Sequence, residues 1–258
     1  MDKKASSVGM QAYFAQIDEG LAAAYEIARK ARAKGLDPED IAPIQLAADM
    51  AERVEGLISV VAPQIIGSGL STSIKELEAV YGSLDWRVAL AIALELSQEK
   101  ICKCKDKMEA MEVGIRVGLA YLTMGTVSSP LEGFLGLKVR KRADGQDYLA
   151  GCFGGPMRSA GGTMEAVCVV IIDYVRVHMG YAAFDPTEQE VKRMVAELYD
   201  YHERVTNLQY LPSEEEIEFL TRHLPLQIDG DPSEQIDVSN FKDLPRIETN
   251  QISNGVCL

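Results

Sequence analysis

The chain has 258 residues, 47% hydrophobic and 25% charged, an ordinary globular composition long enough for one large domain or two smaller ones. No apolar run approaches the ~18 residues of a membrane span, and the polar start MDKKASSVGM lacks the core of a secretory signal. A soluble cytoplasmic protein with no membrane partner is expected, and a formal net charge of −13 argues against a general polyanion-binding surface.

The first half reads as successive helices. Phe14, Ile17, Leu21, Ala24, Ala28 and Ala31 recur every three or four residues and stop at Gly35. After Asp37, Pro38 and Pro43, a second helix runs from Leu46 through Met50, Val54, Leu57 and Val61 to a stop near Pro63. Ser73 with Glu76 has the spacing of a capping box, Asp85 opens a helix through Leu94, and Asp106 with Glu109 opens another through Leu122. This predicts about five helices before Gly125.

The texture then changes. FLGLKVRKR and DYLAGCF, flanking the turn formers Ala143 to Gln146, predict an antiparallel hairpin over 134–153. Alternation places Leu137 and Val139 on a core face and Lys138, Arg140 and Arg142 on a cationic one. A glycine-rich loop, Gly154 to Thr163, leads into an apolar helix through Val175. Thr187 with Glu190 and Ser213 with Glu216 cap two more helices, and the rest is loop with a short strand near Ile236 and Val238. The expected fold class is α+β and predominantly helical: a helical domain at 1–125, then an α+β domain at 126–258 with the hairpin, the glycine loop and an acidic C-terminal segment. The apolar ending GVCL suggests a piece of something longer.

Charge is unevenly distributed along this order. Residues 1–125 carry 14 basic and 18 acidic side chains, residues 126–184 carry 6 and 5, and residues 185–258 carry 6 and 16. Any DNA contact therefore belongs to the middle segment, and the last third should face solvent or a basic partner. Within the middle, Lys138, Arg140, Lys141 and Arg142 either position a phosphate backbone or protect an edge strand by charge. Arg158, Ser159, Gly161, Gly162 and Thr163 lie where backbone N–H groups at a helix start can meet an anion; the same glycines also suit a tight strand-to-helix turn. The loop matches neither a Walker sequence nor a dinucleotide fingerprint.

Other constellations are poorer. Asp229-Gly230-Asp231 lacks a third acid and reads as a solvated turn rather than a magnesium site. Cys102 and Cys104 are too closely spaced for a usual zinc pair, and the five scattered cysteines suit reduced thiols. His178, His202 and His223 each fall on a predicted helix without a nucleophile beside them. No catalytic residue and no metal ligand is assigned.

Longer strings carry a resemblance. ARKARAKGLDPED, LAADMAERVEGL, DWRVALAIA, GIRVGLAYLTMGTVSSPLEGF, FGGPMRSAGGTMEAV and the segments from DPTEQEV to RIETNQI resemble the N-terminal region of the archaeal family D DNA polymerase large subunit, over nearly the whole chain. The resemblance implies a DNA-directed polymerase whose catalytic aspartates and Mg2+ lie in downstream double-psi barrels, in an Asn-Ala-Asp-Phe-Asp-Gly-Asp string absent from these residues. It also implies a small subunit bearing a proofreading exonuclease, and an N-terminal region concerned with assembly and DNA. The reading is thus an assembly and DNA-flanking module without cofactor of its own, with the small subunit, DNA and a second copy of itself as candidate partners. The alternatives are a purely structural scaffold that never touches DNA, and a small nucleotide-binding enzyme using the glycine loop.

Overall fold

The computed structural model describes residues 8–36, 47–154, 157 and 162–253. Five α-helices precede the hairpin among them: α1 (Val8–Arg32), α2 (Met50–Ile58), α3 (Leu70–Tyr81), α4 (Trp86–Ser97) and α5 (Lys107–Leu122). Strands β1 (Phe134–Lys141) and β2 (Asp147–Phe153) follow, then α6 (Gly162–His178), α7 (Glu188–Arg204), α8 (Glu214–His223) and β3 (Gln227–Asp229). The fold is the predominantly helical α+β arrangement expected from the sequence.

Most caps are where the residue types put them. Asp85 accepts from the Arg87 N–H at 2.9 Å, Asp106 accepts from Glu109 N–H at 2.9 Å, and Thr187 and Ser213 each form a reciprocal capping box. Ser73 does not. α3 begins at Leu70 behind Gly69, whose φ of 91° suits glycine, and Glu55 from α2 takes the cap by accepting from Ser71 N–H at 2.9 Å. A carboxylate from another helix displaced the local signal.

Two cores share the central helices. Val54 and Ile58 of α2 and Ile74 of α3 pack with Ile92, Val117 and Tyr121 on one side of α4 and α5. Leu90, Met111 and Ile115 on the other side meet Phe134, Leu149 and Ile171 from the sheet and α6. α4 and α5 lie close because Gly114 and Gly118 of α5 face α4: a Cβ at Gly114 would fall 2.3 Å from the Ala93 carbonyl oxygen, and one at Gly118 2.9 Å from that of Ala89. Packing is therefore continuous across residue 125, with α5 serving both sides. In α1, by contrast, no side chain is buried.

The sheet has order β1-β2-β3, antiparallel between β1 and β2 and parallel between β2 and β3, where Gly151 pairs with Ile228 and Cys152 with Asp229. The third strand thus lies at 227–229 rather than near Ile236 and Val238, where only an Asp237–Gln251 bridge forms. Val139 is 42% exposed, so the apolar face of β1 ends at Leu137. Residues 236–253 double back as a strap, with Val238 N–H donating to Asn250 O at 2.8 Å and Ile252 N–H to Ile236 O at 2.9 Å. The fully buried Arg193 of α7 holds it, donating to the carbonyls of Phe241 at 3.3 Å, Thr249 at 3.0 Å and Gln251 at 3.2 Å. Among the described residues no helix is long and apolar enough to cross a membrane.

Candidate nucleic-acid interface

β1 does present Lys138 and Arg140 on one face, as alternation requires, but the acidic last third of the chain covers that face. Arg140, with its side chain 12% exposed, pairs with Asp229 and donates to Glu248 Oε1 at 2.8 Å and to the Arg246 carbonyl. Lys138 Nζ lies 2.6 Å from Glu248 Oε2 and 3.7 Å from Asp229 Oδ2. Burial works against the charged form of Lys138, yet the Glu248 hydrogen bond and the Asp229 charge raise its pKa above the ordinary lysine value.

The neighbouring cations are paired too. Arg142 donates to the Ala183 carbonyl at 2.8 Å and lies 3.4 Å from Asp144 and 3.7 Å from Asp185. Lys141 meets Asp147 at 2.6 Å on the surface, and Arg176 meets Asp173 at 2.7 Å. Arg158, Ser159 and Gly161 lie outside the described residues. Gly162 and Thr163 open α6 and are exposed, and Glu165 one turn later is buried. Met157, also buried, packs against Gly133, where a Cβ would fall 2.4 Å from its Cγ. All five described cations of the middle segment thus have carboxylate partners.

Sequence reasoning missed the acids that do this. Asp229 is no solvated turn: it is 5% exposed in β3, where parallel pairing with β2 carries it beneath Arg140. Its engagement by two cations leaves it unsuited to hold magnesium. Arg246 was also missed. It reaches Asp185 Oδ1 at 2.6 Å and Glu190 Oε1 at 2.8 Å, and its guanidinium lies 5.4 Å from the Tyr148 ring centroid and 5.3 Å from that of Phe184. These bonds push its pKa up. A groove lined by Lys141, Arg142, Asp185, Glu188, Glu190 and Arg246 accordingly mixes both signs. The available signal was the acidic excess of residues 185–258 following a cationic strand.

The remaining candidates take structural places. Among the described residues no group of three or more His, Cys, Asp or Glu is arranged to hold a metal ion. Cys102, Cys104, Cys152 and Cys168 are free thiols, and burial pushes Cys102 and Cys152 up to about 11 and Cys168 further still. The Nδ1 atoms of His178 and His223 lie 2.8 and 2.6 Å from the carbonyls one turn earlier, and His202 Nδ1 accepts from Leu208 N–H at 2.9 Å.

Residues 12–258 match the family described as DNA polymerase II large subunit DP2, N-terminal. The chain belongs to that family. Its relatives include proteins named DNA polymerase II large subunit from Nanoarchaeum equitans, 46% identical over 95% of this chain, and from Thermoplasma acidophilum, 39% identical over 96%. The Pyrococcus horikoshii protein of the same name is 40% identical over 96%. The chain spans about a fifth of the length of these relatives: 20%, 22% and 17% respectively. The resemblance read from the sequence is therefore borne out, and the DP2 N-terminal fold is the setting in which its paired cations have to be understood.

Proposed function

We propose that this DP2 N-terminal segment is a non-catalytic assembly scaffold within the large subunit of a DNA polymerase. DNA synthesis, which the relatives' name states, would reside in other parts of the large subunit. The observation carrying this reading is the neutralisation of Lys138 and Arg140 by Asp229 and Glu248. Cations already bonded to carboxylates gain little from phosphate, because each new contact must replace an existing charge-assisted bond. The continuous core through α4 and α5 gives the scaffold its rigidity, and the two divisions at 1–125 and 126–258 act as one support. The small exonuclease subunit is its expected partner.

Titrating the chain with fluorescent primer-template DNA at low and moderate salt, with nucleotide incorporation assayed alongside, tests this. The scaffold reading expects little binding, no incorporation, and a loss of thermal stability in Arg140→Glu. The DNA-flanking alternative, using Lys138, Arg140, Lys141, Arg142 and the glycine loop, expects salt-sensitive binding that charge reversal at Lys141 or Arg158 weakens. Such binding would replace the scaffold reading, and incorporation by this chain would overturn both.

A further inference from the structure

The acidic charge of the last third is unevenly satisfied. Glu190 and Glu197 on one face of α7 are bonded to Arg246 and Arg193, but the opposite face carries Val195, Tyr199 and Glu203. Glu203, on the last turn of α7, and Glu214, on the first turn of α8, are exposed, and among the described residues neither has a hydrogen bond or ion pair. Both line a groove of about 400 Å³. Its lining joins three elements: Val195, Ala196 and Tyr199 of α7, Glu214 and Glu218 of α8, and the strap from Ser239 to Phe241. Phe241 supplies an aromatic edge, 37% exposed, on a left-handed backbone with φ of 56°.

The groove has two unlike ends. α7 and α8 run antiparallel, since Arg222 near the end of α8 meets Glu188 at the start of α7 at 2.8 Å, and the Tyr199 hydroxyl donates to the Pro212 carbonyl at 3.4 Å. Glu203 and Glu214 therefore share one end, and Lys192 marks the other. We infer that this groove docks an extended, lysine- or arginine-rich segment of a partner protein. Its cations meet Glu203 and Glu214, and its apolar side chains lie on Val195, Tyr199 and Phe241.

Charge and size select this occupant. Asp200 and Glu218 in the same lining are already paired with Arg204 and Arg222, whereas Glu203 and Glu214 keep charges that only an incoming cation can meet. An acidic segment would meet like charge there. From Lys192 to Glu203 the helix rises about 17 Å, the reach of about five extended residues. A helix about 10 Å across and equally long would fill more than ~1,000 Å³, so an extended segment fits the groove better. The surface goes beyond the scaffold reading and stands on its own geometry: DNA titration decides the scaffold, and peptide titration decides the groove.

Fluorescence anisotropy with a labelled peptide tests this on the whole 258-residue chain. The peptide has three lysines followed by alternating leucine and serine, and its control carries glutamates in place of the lysines. The lysine peptide should bind saturably at low salt, and the glutamate peptide should not. Glu203→Lys with Glu214→Lys should weaken binding about tenfold or more, the effect of turning two exposed attractions into repulsions. Phe241→Asn, with a residue that tolerates the same backbone, should weaken it about threefold through lost apolar contact. Glu76→Lys with Glu132→Lys makes the same charge change at exposed sites outside the groove and should leave binding almost unchanged. Melting temperatures should stay near the parent's, because Glu203 and Glu214 bond to no other described residue. No saturable binding, equal loss in both double variants, or binding unchanged by Phe241→Asn would overturn the proposal.

Discussion

Arg140 and Asp229 lie 89 residues apart and form an ion pair with side chains only 12% and 8% exposed. The pair ties β1 to β3 across β2, and Glu248 of the strap joins it from above. Removing one member leaves a buried charge with weakened compensation. Arg140→Met should cost about 3 kcal/mol of unfolding free energy, measured by urea denaturation. Arg140→Met with Asp229→Leu should recover most of that loss, because no uncompensated charge remains.

Arg193 should matter for the strap more than for the helix it comes from. Its guanidinium is the common donor to three strap carbonyls and also meets Glu197 at 3.1 Å. Arg193→Met leaves those carbonyls and the Glu197 carboxylate without it. Amide hydrogen exchange should accelerate across residues 236–253, beginning with the N–H groups of Val238 and Ile252, while α4 and α5 stay protected. Uniform acceleration throughout the chain would show that the strap unfolds only with the whole body.

The caps separate a local signal from a tertiary one. Thr187→Ala and Ser213→Ala should each cost about 1 kcal/mol, since each hydroxyl caps its helix. Ser73→Ala should change the melting temperature little. Glu55→Ala should instead behave as the loss of the α3 cap, and a larger effect at Ser73 than at Glu55 would contradict the geometry.

Acid should loosen the contacts between the middle and the last third. Burial works to raise the pKa of Asp185, but hydrogen bonds from Arg246 and Ala143 outweigh it and hold the carboxyl below its ordinary 3.8. Glu248 is held below 4.5 chiefly by its hydrogen bond from Lys138. A depressed carboxyl contributes stability that is present above its unfolded pKa and lost as pH falls through the folded value. Stability should therefore hold from neutrality down to these ordinary values and decline below them. Asp185→Asn should flatten that decline in denaturation curves recorded against pH.

Much of the architecture was legible because its signals are local. Helical periodicity, the Asp106, Thr187 and Ser213 caps, and the turn between FLGLKVRKR and DYLAGCF each rest on neighbours within one or two turns of chain. The family strings were legible for a different reason, since they extend over nearly every element. β3 was not readable: three residues are too few to display alternation, and Asp229-Gly230-Asp231 has the composition of a turn. Ser73 misled because a correct local pattern yielded to Glu55 from another helix. The helices, the hairpin, the family and the uneven charge could all be read along the chain. That the acidic last third folds back to neutralise the cationic strand emerged from the three-dimensional arrangement alone, because ion pairs between segments some 90 to 110 residues apart depend on chain topology and leave no periodic trace.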